Sequence, residues 1–433
     1  MAKRRLFQDI LGVFNSNIFS LFAGVLFSVL LTRMLGPEGF GIFTALIIIP
    51  TLIVSFTHLG IRGAAIYHVG KKTYDLNELI STIFVLLIFS SLLGMVLSAI
   101  TYYFFFQDGF TLIMVVLAIC VIPPRLAIVY FGGIYLGKDE VRKANQLNWL
   151  TNLINLILAA ILVWWFDLGI LGAVISLFLS SLVVSVNGII NLSKAYVIRL
   201  RINMSIIRNL FKLGILFALA FFVIQLNFRL DILLLEKLST IEELGIYSLS
   251  AHIAEQIWQI PLAMGIIIFS RTSKSGGSRE TTLITLKLLR ISVLLSLLAS
   301  ITAFFLAPFL IPLVFGEEFT PSVLILQWLL PGIILMVIFR LISGQIAGMG
   351  KPQVTIYVFI PALIINILLN FLWIPEHGAL GAAWATNVSY IFGSVIYLIA
   401  YARIAKVSFS EIIAYKKSDF SIVKELWQKF RKK

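Results

Sequence analysis

Arg125, Arg229, Asp231, Glu255 and Arg340 lie inside long apolar runs, and His58 lies near the end of another. An ionisable side chain at mid-bilayer costs on the order of 3 kcal/mol, so each of these needs a partner or a task. Arginine offers a diphosphate positive charge and a bidentate fork, whereas a carboxylate at depth is costly until a proton or a cation neutralises it. At about 100° per residue, Thr44, Thr51, Ser55, His58 and Arg62 fall on one narrow helical face, and Ser248, His252, Glu255 and Gln259 on another. A broader small and polar stripe runs through Asn17, Ser20, Gly24, Ser28 and Thr32. The candidates for binding a substrate are therefore Arg125, Arg229, Arg340, Arg62, His58 and Gln259. Those for coupling to a proton or to Na⁺ are Glu255, Asp231 and His252. Two alternatives stay open: helix-to-helix hydrogen bonding for the uncharged stripes, and pairing with carbonyls or a buried acid for each charge. Arg229 and Asp231, two apart, point to nearly opposite faces, so they cannot share one role by proximity alone.

Enzyme chemistry has no foothold. There is no Gly-rich phosphate loop, no HExxH and no Cys/His metal spacing; the four histidines (58, 68, 252, 377) are scattered, and Cys120 is the only cysteine. No cofactor, metal or disulfide framework is expected. The Pro123-Pro124 pair reads as a kink within a span rather than as a catalytic loop.

The elements that hold these residues are membrane helices. Of 433 residues, 60% are hydrophobic and 12% charged, with a mean hydropathy of +1.02. Apolar runs long enough to cross roughly 30 Å of hydrocarbon recur throughout. Twelve spans are expected, near 10–32, 40–61, 79–106, 110–137, 147–166, 168–192, 213–235, 245–270, 283–307, 322–348, 353–373 and 379–402. The first follows Lys3-Arg4-Arg5 but has no small-residue cleavage site, so it is expected to persist rather than act as a removed signal.

The net charge of +14 is a topology signal. Along the chain 29 of the 34 basic residues fall at the N-terminus, in alternate gaps between spans or after residue 402. The opposite gaps hold only Arg33 and Lys237 against nine acids. The positive-inside rule then places both termini in the cytoplasm, in a multi-pass protein of the cell membrane. The same basic residues draw anionic membrane lipids, and no basic, aromatic-interleaved soluble domain exists to bind nucleic acid. From Phe409 to Lys433 the tail places Phe420, Val423, Trp427 and Phe430 at helical spacing among lysines and an arginine, the pattern of an amphipathic helix on the inner leaflet.

The chain also repeats itself. Gly41-Ile42-Phe43 returns as Gly245-Ile246-Tyr247, Leu153-Ile154-Asn155-Leu156 as Ile364-Ile365-Asn366-Ile367, and Gly169-Ile170-Leu171-Gly172-Ala173 as Gly378-Ala379-Leu380-Gly381-Ala382. Six spans per half keep both halves in the same orientation, a parallel repeat about the membrane normal, with an aqueous cavity expected between the halves. The expected division is 1–192 for the first lobe, 193–212 for a basic linker, 213–402 for the second lobe and 403–433 for the tail.

Leu31-Thr32-Arg33-Met34-Leu35-Gly36-Pro37-Glu38-Gly39-Phe40-Gly41-Ile42-Phe43 resembles the first external turn of the prokaryotic polysaccharide-export flippases, whose superfamily includes the multidrug and toxin extrusion antiporters. Phe228-Arg229-Leu230-Asp231 followed by Gly245-Ile246-Tyr247 is similar to the start of that family's second lobe. The resemblance implies an all-α, twelve-helix, V-shaped fold with helices 1, 2, 7 and 8 around a cavity. It also implies a polyprenyl-diphosphate-linked oligosaccharide as cargo, with polysaccharide-assembly enzymes as neighbours. Lipid II flippases of the superfamily usually have fourteen helices, for which this chain has no room. Two rivals remain: a cation-coupled drug exporter using Asp231 and Glu255, and an integral-membrane glycosyltransferase or polymerase, which the short external gaps disfavour.

The charge pattern makes a direct prediction about orientation. In a Cys120→Ser background, Asp108→Cys and Glu317→Cys label from outside intact cells, and Lys351→Cys and Lys417→Cys do not; the opposite pattern inverts the topology.

Overall fold

A computed structural model describes residues 2–104, 109–199, 203–415 and 419. Every regular element among the described residues is helical. That follows from the solvent, because a backbone in hydrocarbon must satisfy its N–H and C=O groups internally. The helices are α1 (Ala2–Thr57), α2 (Ile61–Lys71), α3 (Leu76–Phe104), α4 (Leu112–Cys120), α5 (Ile122–Gly137), α6 (Val141–Ala159) and α7 (Gly169–Ala195). They continue as α8 (Met204–Leu238), α9 (Ile241–Glu255), α10 (Gln259–Ser275), α11 (Arg279–Phe315), α12 (Ser322–Gly348), α13 (Gln353–Ala405) and α14 (Phe409–Ile413).

Nine helices among the described residues are long and apolar enough to cross a membrane. Their boundaries differ from the twelve expected spans for a local reason. Helical hydrogen bonding runs on through two sharp kinks, at Gly36 in α1 and Gly378 in α13, so each of these helices covers two expected spans. Gly36 has φ 65° and precedes Pro37, and a residue before proline is pushed out of the α region. The expected span 245–270 is instead cut by a 3₁₀ turn at Gln256–Trp258, leaving α9 and α10 each too short to count.

The helices form two compact units. The first comprises Met1–Ile246 with Pro312–Phe319, the second Tyr247–Ile311 with Thr320–Lys433. Packing thus puts all of α8 with the first six expected spans, whereas the repeat pattern starts a second lobe at 213. The reason lies in glycine. Gly60, at φ 67°, sits so close to α8 that a Cβ there would come within 2.1 Å of the Gly214 carbonyl oxygen. Around this crossing the first unit's core gathers Leu86, Leu126, Tyr130, Phe131 and Leu210, and Tyr130 shares a 2.8 Å hydrogen bond with Ser90. In the second unit α10 and α12 cross at Gly265 and Gly344, where a Cβ on Gly344 would lie 2.2 Å from the Gly265 carbonyl oxygen. Phe339, Phe359 and Tyr397 pack together in the same unit, tilted and edge-to-face, with centroids 4.4 Å and 4.9 Å from Phe339.

Two of the sequence repeats have a shared geometry. Gly169 and Gly378 both take φ 53°. Three residues on, Gly172 and Gly381 each press on a carbonyl of the preceding helix, Leu162 at 3.0 Å and Trp373 at 2.3 Å from the position of a Cβ. The repeated pentapeptide is a repeated turn. The other pair meets itself. A Cβ on Gly41 would lie 2.1 Å from the Ile241 carbonyl oxygen, and one on Gly245 would lie 2.0 Å from that of Pro37. Each glycine therefore faces the carbonyl four residues before its counterpart, the signature of a local two-fold axis between them. Arg33 adds a contact nearby, donating from Nε to the Val314 carbonyl at 3.0 Å and also to that of Leu313.

A methyl group at either Gly41 or Gly245 must move backbone, not a side-chain tip. Gly41→Ala and Gly245→Ala should each cost about 1–3 kcal/mol. Gly132→Ala, in open space inside α5, should be neutral or slightly stabilising. Thermal unfolding of the purified variants in one detergent measures both; equal midpoints for all three would remove the glycine contact from the account.

Candidate functional site

In the first unit the chain leaves α1 through Leu59, at φ 50°, and Gly60, then re-enters helix at Ile61. His58 closes this turn: its Nδ1 accepts the Gly60 N–H at 2.9 Å. That leaves Nε2 as the ring's donor in the neutral form. The imidazole lies 5.3 Å from the Phe221 ring. Arg62 follows in the first turn of α2, where the helix dipole already favours an anion. Arg125 holds the matching place in the first turn of α5, just after Pro123-Pro124. Prolines lack the N–H that would continue a helix but are tolerated at its start, and the span divides at Val121 into α4 and α5.

α2 and α5 run side by side in the same direction. A Cβ on Gly133 would meet the Arg62 carbonyl at 2.8 Å, and one on Gly137 would meet Val69 at 2.7 Å. Arg125 precedes Gly133 by eight residues, which puts it about 12 Å further along the helix axis than Arg62. Arg62 is exposed and Arg125 half-buried. Among the described residues no carboxylate pairs with either. The two positive charges, about 12 Å apart along neighbouring parallel helices, are candidates for binding an anion.

Arg229 and Asp231 on α8 are placed differently. Asp231 is 1% exposed and Arg229 half-buried, and both are engaged in contacts with the protein.

The other four candidates belong to the second unit and cluster at the break between α9 and α10. Glu255 is the last residue of α9 and Gln259 the first of α10, with the 3₁₀ turn between them. Mid-helix 3₁₀ turns often mark hinges. Gln256 donates to the His252 carbonyl at 2.9 Å, and Gln259 reaches Gln256 at 3.5 Å. Glu255 and His252 are half-buried and have partners of their own. Arg340 of α12 places its guanidinium over the Trp258 ring, 4.5 Å from the centroid. Trp258 in turn donates its indole N–H to the Ile333 carbonyl at 3.0 Å and packs 5.8 Å from Tyr390.

Trp258 is the residue that sequence reading passed over. It lies three residues after Glu255, beside the polar stripe, but an indole in an apolar run carries no signal of its own. Asn387 is another: its side chain accepts from the Gly332 N–H at 2.8 Å and donates to the Trp328 carbonyl, beside Pro331 in α12. The hydroxyl stripe on α1 proves self-sufficient. Thr44, Thr51 and Ser55 each donate to a carbonyl of the preceding turn, at 2.8, 2.8 and 2.7 Å. Ser28 and Thr32 do the same at 3.1 Å each.

Comparison with known proteins gives the setting. Residues 6–273 match the family described as Polysaccharide biosynthesis protein, and residues 216–372 match the MatE family. The chain is 26% identical over 404 residues to the capsular polysaccharide biosynthesis protein CapF of Staphylococcus aureus, covering 90% of this chain and 98% of that one. Among solved structures, an inward-facing multidrug resistance MATE transporter superposes with a TM-score of 0.71 at 17% identity, over 92% of this chain and 98% of the other. The lipid II flippase MurJ, in an inward closed conformation, superposes with 0.69 at 15% identity, over 94% and 89%. At these identities the likeness is one of fold: an all-helical, two-lobe membrane transporter architecture.

Proposed function

The chain belongs to the polysaccharide biosynthesis protein family, and from that premise we propose that it is a flippase. Its cargo on this reading is a polyprenyl-diphosphate-linked oligosaccharide, carried from the cytoplasmic to the outer leaflet of the cell membrane by alternating access, with both termini in the cytoplasm. The observation that carries the proposal is the pair Arg62 and Arg125, in the first turns of neighbouring parallel helices and without a carboxylate partner among the described residues. A guanidinium half-buried without a counter-charge, as at Arg125, carries a desolvation cost that an arriving diphosphate offsets. Arg62 at the inner end meets the headgroup first, with His58 Nε2 as a neutral donor beside it. Arg125, about 12 Å further along, receives it next. Arg229 is a further contact of the first unit for the phosphates on this reading, and Arg340 a candidate in the second unit taken by itself. A negative-inside potential assists outward passage of two negative charges by roughly 4.6 kcal/mol per 100 mV when the arginines stay fixed.

Glu255 is the coupling group on this reading. A carboxylate at a helix break can take up a proton or Na⁺ and change the hinge as it does so, with His252 and Asp231 as accessory groups. The match to a MATE multidrug transporter fold favours a second reading, organic-cation efflux, in which Asp231 and Glu255 hold the cation and the arginines are structural.

A reconstituted assay that follows lipid-linked glycan flipping and organic-cation efflux in parallel separates the two. Arg62→Ala and Arg125→Ala, with folding checked, should each reduce flipping about tenfold or more, from loss of a charged hydrogen bond worth about 1.5–3 kcal/mol. Arg→Lys should recover part of it. Folded Ala variants that flip at the wild-type rate would sink the glycan reading. In the same assay Glu255→Gln should abolish the dependence of flipping on a proton or Na⁺ gradient; a variant that transports normally with its ion dependence intact assigns Glu255 a structural role.

A further inference from the structure

The repeated turn is built up differently in the two units. Trp164 and Asp167 precede Gly169 at the same distances as Trp373 and Glu376 precede Gly378. In the first unit Trp164, Trp165 and Phe166 are exposed, as the rings of an interfacial aromatic girdle are. In the second unit the tryptophan is gathered into a cluster. Gly381 lies against the Trp373 carbonyl, so the two arms of α13 close until the rings of Trp373 and Trp384 meet with centroids 6.1 Å apart. One turn further along, Asn387 ties the second arm to α12 through Gly332 and Trp328. That brings the Trp328 ring to 5.8 Å from Trp384, while His377, in the turn itself, lies 5.0 Å from it. All three rings meet Trp384 edge to face.

Three properties of the cluster exceed what a girdle needs. The Trp384 indole N–H is buried and meets no acceptor among the described residues, although a buried indole usually finds one. Trp328 keeps 46% of its surface exposed. Glu376 and His377 are exposed beside it, with Oε2 and Nε2 4.0 Å apart, too far for a hydrogen bond but a gap that one hydroxyl can bridge. A sugar ring answers all three. Its C–H face packs on an aromatic ring, whose face is negative, and its rim of hydroxyls both donates and accepts. A quaternary ammonium would instead need ring faces converging on an open space, and here the rings are turned onto one another. Depth agrees with a sugar held on a lipid. The positive-inside rule assigns this turn to the outer side, and Phe371 and Leu372, just before it, are exposed apolar residues suited to acyl chains.

We propose that Trp328, Trp384, Glu376 and His377 form an outer docking site for the sugars of a lipid-linked glycan, with a sugar ring stacked on Trp328 and hydroxyls bound by Glu376 and His377. The inference rests on the glycan reading above and adds a landing place on the outer side, built within the second unit and separate from Arg62 and Arg125.

Hydroxyl-radical footprinting of the full-length protein in phosphatidylglycerol nanodiscs tests this, with oxidation of Trp328 read by peptide mass spectrometry. The probe is the lipid-linked oligosaccharide fraction of the cells the protein comes from, used intact or after mild acid has released its sugars. The intact fraction should lower Trp328 oxidation severalfold, and the sugar-free lipid should not. Glu376→Gln should raise the half-protecting concentration about tenfold, the effect of losing a charged hydrogen bond; both Glu376 and His377 are exposed, so folding is not at stake. A nanodisc offers both leaflets and nothing need be transported, so Arg62→Ala with Arg125→Ala should leave the protection intact. Protection without glycan flipping by the wild type therefore sinks the transport reading alone, and flipping without protection sinks the docking site alone. Equal oxidation with the intact and sugar-free fractions, undiminished protection in Glu376→Gln with His377→Ala, or equal protection by tetramethylammonium overturns the proposal.

Discussion

The approach of two helix backbones at Gly41 and Gly245 is the constraint on which much of the first unit rests. Each α-carbon lies where any side chain would collide with a carbonyl four residues before the other glycine. Contacts this close bring backbone against backbone at the crossing, and without a hydrophobic force between helices in a bilayer, van der Waals packing of that kind has to supply much of the attraction. The second crossing, Gly60 on Gly214, fixes α8 at its other end. With both set, the turn that carries His58 and the first turn of α2 have a fixed place. Arg62 follows from that place, not from a partner of its own.

The polar residues divide by how they are satisfied. Serines and threonines in α1 return their protons to the preceding turn, which removes the penalty of an unpaired hydroxyl in hydrocarbon without requiring a neighbour. The charged groups cannot do this. Asp231 and Glu255 are engaged with other residues, and Arg340 rests on an indole. Arg62 and Arg125 are met by no acid among the described residues. On the proposed reading, an anionic cargo supplies the counter-charge that these two residues lack.

The amphipathic character that the tail's sequence promises depends on where its acids go. Read linearly, Glu411 and Asp419 dilute the positive charge of the segment. Folded, they face Arg279 and Arg290, residues more than a hundred positions earlier, so that both acids are paired within the second unit.

By itself the sequence determined the solvent, the helical class, the repeat and the family resemblance, because hydropathy, charge alternation and glycine motifs are local patterns written in consecutive residues. It also marked Arg125 and Glu255, since a charge inside an apolar run is conspicuous without any fold, and Arg62 by its place on a polar helical face. What it did not contain was which residues meet. The motif around Gly36-Pro37 and Gly41 looked like a family signature, and only the tertiary structure shows it as a kink and a backbone crossing. Helical spacing grouped Thr44 with Arg62 on one face, yet hydroxyls bond to their own helix while guanidinium groups cannot, so one stripe divides into structural and candidate binding residues. Trp258, Asn387 and the Arg290–Asp419 pair were invisible for the same reason: their partners lie 55 to 129 residues away, and long-range pairing is decided by packing, for which a linear pattern has no period.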